Sequence, residues 1–284
     1  MAALDKQMRI LIIDGHAFAY RAFFAIRDLS SPSGQPTNAI YGFINMFEKF
    51  EAKVLPTHTV VVWDGGLDEG RVEELSDYKD QRDPMPDDME VQLDEIESYL
   101  EASGIASVCH KGVEADDRIG QLTKSAESEG LEVAIASSDK DFFQLVNDRV
   151  KIWNPSDKSG EPMDENAVKI KTGVRPEQIV DWLSLVGDAA DNIPGVPGIG
   201  VKTAAALLNE FGTVSELYKR LEDVKRDKQR QALLDSEANV RRNQNLVSLK
   251  MDLDDEPEID SLRKGFEDTV QLEKLYEKWG FKAK

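Results

Sequence analysis

Residues 9–15, RILIIDG, decide how the rest of the chain is read. Ile10, Leu11, Ile12 and Ile13 leave no polar face, which is the pattern of a strand covered on both sides. Asp14 and Gly15 close it abruptly. THTVVVWDGG (57–66) repeats the design with Asp64, and LEVAIASSDKD (131–141) repeats it with Asp139 and Asp141. A weaker run at 105–109 is followed by Glu114, Asp116 and Asp117. Helix-forming stretches at 17–26, 38–52, 89–102 and 116–129 separate these runs. Such alternation predicts an α/β fold: a mostly parallel central sheet flanked by helices.

From about residue 176 the pattern changes to helices alone. The expected organisation is an α/β domain over 1–175 and an all-α subdomain over 176–284. The charged stretch 221–248 is too poor in apolar residues for a core of its own and is expected to pack on what precedes it. With 284 residues, 40% of them hydrophobic, the chain can fill both cores. Against 54 acids stand 35 bases, a net charge of −19, which disfavours a membrane-surface protein or one that grips nucleic acid through an overall basic face. Carboxylates that hold divalent cations are a different case, because the ions present positive charge to a phosphate. No run approaches the ~18 apolar residues of a membrane span. The first fifteen residues lack the layout of a signal peptide, Cys109 has no disulfide partner, and three scattered histidines offer no zinc spacing. A cytoplasmic location is expected.

In an open parallel sheet the carboxyl ends of the strands share one edge, where ligands bind, so the acids at these junctions should converge. A single Asp at such a junction is most simply an N-cap or turn former. Four junctions together are another matter. Asp188 and Asp191 in GDAADN (187–192) add a pair that a helix would place on nearly one face. Bare carboxylates ~5 Å apart would repel by about 3 kcal/mol per pair at an effective dielectric near 20. Cations relieve that, and an all-oxygen set without His or Cys points to Mg²⁺ or Mn²⁺. Two such ions form the usual clamp for phosphodiester hydrolysis, one activating water and one stabilising the leaving oxygen.

IPGVPGIG (193–200) opens a helix with a glycine-rich turn. Its free N–H groups attract phosphate, and Lys202 lies adjacent. With a helix at 179–186 before it, the stretch 179–212 has a helix–hairpin–helix layout, which grips a nucleic-acid backbone without reading bases. Gly195, Gly198, Gly200 and Lys202 are the candidate contacts.

IIDGHAFAYRAFFA, PTNAIYGF, YKDQRDPMPDDM, GVEADDRIG, SSDKDFFQLV and GDAADNIPGVPGIGVKTA, in this order over nearly the full length, closely resemble the 5′-nuclease family. That family comprises the N-terminal exonuclease domain of bacterial DNA polymerase I, stand-alone 5′–3′ exonucleases and flap endonucleases. The resemblance implies a PIN-like sheet with two divalent-ion sites and a helical arch over them, here about 65–100. It implies that Asp14, Asp64, Glu114 and Asp116 serve the first site. Asp117, Asp139, Asp141, Asp188 and Asp191 would serve the second, with Asp116 between them. Lys79 and Arg82 match the family's basic pair at the foot of the arch, and Arg21 matches an arginine near the same phosphate. Tyr78 either stacks a base or packs. K⁺ at the hairpin turn is a further ion found in some relatives. The expected partners are DNA with 5′ ends or 5′ flaps and a DNA polymerase, with no membrane, and the chain is expected to be a monomer.

Three departures stand out. His16 replaces a small hydroxyl residue, and either touches the site or is inert. Gly65, Gly66 and Gly70 are expected to loosen the arch. From residue 68 to 101 there are 14 acids and 3 bases, a local charge of −11, so affinity for duplex should be weak and salt-sensitive. The expected activity is divalent-metal-dependent hydrolysis of DNA at 5′ ends and flap bases, leaving a 5′-phosphate and a 3′-hydroxyl, in replication or repair. A PIN-type ribonuclease and a non-catalytic, structure-specific DNA-binding module are the alternatives. Nucleophilic catalysis lacks a Gly-x-Ser-x-Gly, and Cys109 reads as a buried packing residue. A P-loop is absent.

Overall fold

The computed structural model describes residues 8–255 and 257–282. The stretch 1–7, part of the segment that lacks a signal-peptide layout, lies outside the described residues. The chain runs β1 (Arg9–Asp14), α1 (Gly15–Ala25), α2 (Asn38–Val54), β2 (His58–Trp63), α3 (Glu69–Glu74) and α4 (Asp87–Ala102). It continues through β3 (Ala106–Cys109), α5 (Ala115–Ser128), β4 (Glu132–Ala136), β5 (Val150–Trp153) and α6 (Glu165–Thr172). These five strands form one parallel sheet in the order β3-β2-β1-β4-β5. The order reverses at β1, so the crevice of an open α/β sheet falls at the carboxyl ends of β1 and β4.

Alternation along the strands divides the core in two. Ile10, Ile12, Val60, Val62, Val133 and Ile135 face α5. Leu11, Ile13, Val61, Ala134 and Ala136 face the aromatic layer of Phe18, Phe43 and Phe47 on α1 and α2. The edge strand β5 is absent from the sequence reading, because four residues interrupted by the exposed Lys151 carry little pattern.

Helices α7 (Ile179–Val186), α8 (Val201–Phe211), α9 (Val214–Lys219) and α10 (Asp227–Val247) follow. Their buried residues Leu183, Leu208, Leu217, Leu233 and Val240 belong to the same continuous core as the α5 face. The stretch 221–248 thus packs as expected. The last helix, α11 (Thr269–Trp279), corrects the expectation of a helical subdomain running to 284. Leu275 and Trp279 sit in the aromatic core of the first domain. Trp279 Nε1 donates to Glu95 at 2.8 Å, and Gly265 N–H donates to the Gly104 carbonyl at 2.7 Å.

The span 65–100 likewise divides. Met89, Ile96 and Leu100 on α4 are fully buried, so that helix is part of the packed layer, whereas Arg71, Tyr78 and Lys79 reach Glu114 and Arg82 reaches Asp191. Gly65 does not loosen this segment, because a Cβ there would lie 1.7 Å from the His110 carbonyl oxygen and its own N–H donates to the Val113 carbonyl. Among the described residues no helix is long and apolar enough to cross a membrane.

Candidate active site

Because the strands are parallel, Asp14 at the end of β1, Asp64 after β2 and Asp139 and Asp141 after β4 emerge at one edge. Glu114 and Asp116 join them at the start of α5. Asp14 caps α1 by accepting the Ala17 N–H, and its second oxygen accepts the Ser137 hydroxyl at 2.8 Å. Asp139 accepts the Asp141 N–H at 2.9 Å. Asp188 and Asp191 do not share a helix face as expected. Gly187 at φ +78° ends α7, and the pair instead brackets a tight turn between residues 187–188 and 193–194, which form a short antiparallel ladder. The turn still delivers them: Asp141, Asp188 and Asp191 each place an oxygen within 4.8 Å of the other two.

Eight of the nine expected acids fall into two electrostatic classes. Glu114, Asp117, Asp188 and Asp191 are paired with cations of the chain itself. Glu114 receives Lys79 at 2.7 Å, Arg71 at 3.0 Å and the Tyr78 hydroxyl at 3.1 Å. Lys140 reaches Asp188 at 2.7 Å, and Arg82 reaches Asp191 at 2.6 Å. Burial would raise the Glu114 carboxyl, yet Lys79 and Arg71 hold it below the usual range. Lys79 is raised despite its burial, by Asp191 and Glu114.

Asp14, Asp116, Asp139 and Asp141 form the second class. Burial pushes Asp14 up to about 6 against its own hydrogen bonds, with Asp139 and Asp64 adding to the rise. Asp116, Asp139 and Asp141 are raised as well, first by burial; Asp139 acts further on Asp116 and Asp141, and Asp191 and Asp188 act on Asp139. Asp141 Oδ1 is buried with no hydrogen-bond partner. A lone buried carboxylate oxygen beside two further carboxylates is the donor set of a hard divalent cation, so the residues fit such an ion.

Asp117 departs from the expected set. Both its oxygens are held by Arg71 at 2.8 Å, and one also accepts the Lys250 N–H, so its side chain ties α3 to α5 and to the end of α10. Tyr78 packs rather than stacks, since its ring is 3% exposed. Arg21 is exposed and donates to the Ser156 hydroxyl. Cys109 is exposed at the end of the edge strand, not buried as expected.

At the hairpin turn, Gly195 packs: a Cβ would lie 2.1 Å from the Val186 carbonyl oxygen. Gly198, at φ +78°, and Gly200, the N-cap of α8, face open space, and Lys202 is exposed. Arg71 and Lys140 escape the sequence reading, because cations among acids read as surface ion pairs. Arg71 carries one available signal, as one of three bases in the acid-rich stretch 68–101.

The sequence model of the 5′–3′ exonuclease N-terminal, resolvase-like domain matches residues 9–173, and that of the 5′–3′ exonuclease C-terminal SAM fold matches 174–269. The chain belongs to the 5′–3′ exonuclease family. The 5′–3′ exonuclease of Aquifex aeolicus is 40% identical over 245 residues, covering 86% of this chain and 83% of that one. DNA polymerase I of Bacillus caldotenax is 37% identical over 279 residues, 97% of this chain but 32% of the polymerase. The chain thus spans about a third of the polymerase relatives' length. Among solved structures, the bacteriophage T5 flap endonuclease, in a complex with DNA and metal ions, superimposes with a TM-score of 0.70 at 24% identity, covering 85% of this chain and 89% of that one. This likeness is one of fold: a resolvase-like sheet carrying a SAM-like helical unit.

Proposed function

We propose that this chain is a divalent-metal-dependent 5′–3′ exonuclease and 5′ flap endonuclease. It hydrolyses DNA phosphodiesters to leave a 5′-phosphate and a 3′-hydroxyl. The observation that carries this is the unpartnered, buried Asp141 Oδ1 beside Asp188 and Asp191, next to Asp14, Asp116 and Asp139, whose carboxyls burial has raised. Asp14, Asp64 and Asp116 on one side, and Asp139, Asp141, Asp188 and Asp191 on the other, are the residues that would hold two Mg²⁺ or Mn²⁺ ions. When bound, the ions polarise the phosphate and make water a nucleophile near neutral pH.

The chain's own residues do the remaining work. Lys79 and Arg82, now on Glu114 and Asp191, lie where a phosphate entering between them would compete for their charge. Lys79 also keeps Glu114 ionised. Gly198, Gly200 and Lys202 offer a backbone grip on the duplex, with K⁺ as the ion assigned to that turn. The DNA-bound fold relative and the polymerase relatives support DNA as substrate and a DNA polymerase as partner, in replication or repair. This reading carries with it a cytoplasmic monomer.

Cleavage of a labelled 5′ flap by wild type and Asp139→Asn, in Mg²⁺, Mn²⁺ or EDTA, tests the reading. Wild type should cut with either ion, faster at the flap than within matched duplex, because unstacking an internal base costs a few kcal/mol. Asp139→Asn should lose most of that rate. Undiminished cutting in EDTA would refute the proposal.

A further inference from the structure

His16 is the second residue of α1, and its imidazole reaches the end of the neighbouring strand β2. Nδ1 accepts the backbone N–H of Asp64 at 3.1 Å, so the neutral ring carries its proton on Nε2. That N–H lies just past the ladder, since β2 closes at Trp63 and the β1–β2 register ends with Asp14 opposite Val62. The imidazole thus takes the place of a strand carbonyl. The same ring stands edge-on to Trp63, with centroids 5.3 Å apart at 86°. Trp63 in turn lies against Gly15, where a Cβ would come within 2.6 Å of its ring. Residues 14–16 and 63–64 therefore form one packed unit joining the turn that carries Asp14 to the turn that carries Asp64. On its other side, the Asp64 carboxylate accepts the Gly66 N–H at 2.8 Å.

We propose that His16 is a positioning residue: by accepting the Asp64 N–H, it sets where Asp64 presents its carboxylate beside Asp14. The inference rests on the metal-dependent reading above. Its competitor is plain packing, in which the ring only fills space against Trp63. Two substitutions part these roles. His16→Asn keeps an acceptor at the same distance along the side chain and removes the ring; His16→Phe keeps the ring and removes the acceptor.

The readouts are calorimetric Mn²⁺ binding to the full chain without DNA and thermal unfolding in EDTA. Positioning predicts about tenfold weaker Mn²⁺ binding in His16→Phe and a change within about twofold in His16→Asn, the usual scale for groups that orient metal ligands. It also predicts that His16→Asn has the lower unfolding temperature, because the Trp63 contact is gone. Wild-type affinity in His16→Phe, or an equal loss in His16→Asn, overturns the inference and leaves the metal reading standing. Failure of wild type itself to bind Mn²⁺ overturns both.

Discussion

Lys79 sits at φ +57°, a region that costs a side-chain-bearing residue about 1–2 kcal/mol. Its N–H donates to the Asp191 carbonyl at 3.2 Å and its Nζ to Glu114, so contacts at both ends hold the strained backbone in place. Lys79→Ala should lower flap cleavage by about 10²-fold, the scale for removing one charge-stabilising donor. Lys79→Gly should be the more stable of the two variants by up to about 1 kcal/mol, as thermal melts would show, because glycine accepts this φ freely. Asp14 gives a pH signature. Its folded pKa lies above the unfolded one, so its contribution favours the fold below about pH 4 and is lost as pH rises through about 6. In EDTA, the stability of wild type relative to Asp14→Asn should therefore drop by about 2 kcal/mol between pH 4 and 7. The strand-end acids were legible because an apolar run ending in Asp marks the ligand edge of a parallel sheet whatever the rest of the chain does. Arg71 and Lys140 were not, since nothing local distinguishes a buried cation from a solvated one. His16 stood open between contact and inertness until its partner, 48 residues away just past the end of β2, was visible.

At the scale of elements, the helix–hairpin–helix layout was read from glycines, and the structure gives those glycines different duties. Gly195 is needed where the backbone passes Val186, whereas Gly200 faces open space at the start of α8. Gly195→Ala should lower the unfolding temperature markedly and displace the nearby Asp188 and Asp191. Gly200→Ala should melt within a degree or two of wild type, yet weaken duplex binding in a fluorescence-anisotropy titration, because an added methyl keeps a phosphate from the amides. Periodicity shows that α4 is helical and cannot show where it packs. The family resemblance extended the arch over it, but Met89, Ile96 and Leu100 place it in the core. β5, short and interrupted by a lysine, falls below what alternation can reveal.

For the whole molecule, a net charge of −19 with buried, upward-shifted carboxylates means that the metal-free fold carries repulsion which divalent cations would remove. Saturating Mg²⁺ should raise the unfolding temperature more at pH 8 than at pH 5, where some of these acids are protonated. Scanning calorimetry at both pH values checks this, and an equal shift would count against the paired-ion site. The order of β1 to β4 with α1, α2, α4 and α5 was open to sequence reading, since it rests on local patterns. The return of α11 to the first domain was not, because it depends on a surface assembled from α4 and the aromatic layer. That return has a consequence for biosynthesis. While the ribosome is still adding residues 269–279, the seat for Leu275 and Trp279 stands open on an otherwise complete amino-terminal half, so the nascent polypeptide trails an uncovered greasy face until its closing segment clears the exit tunnel.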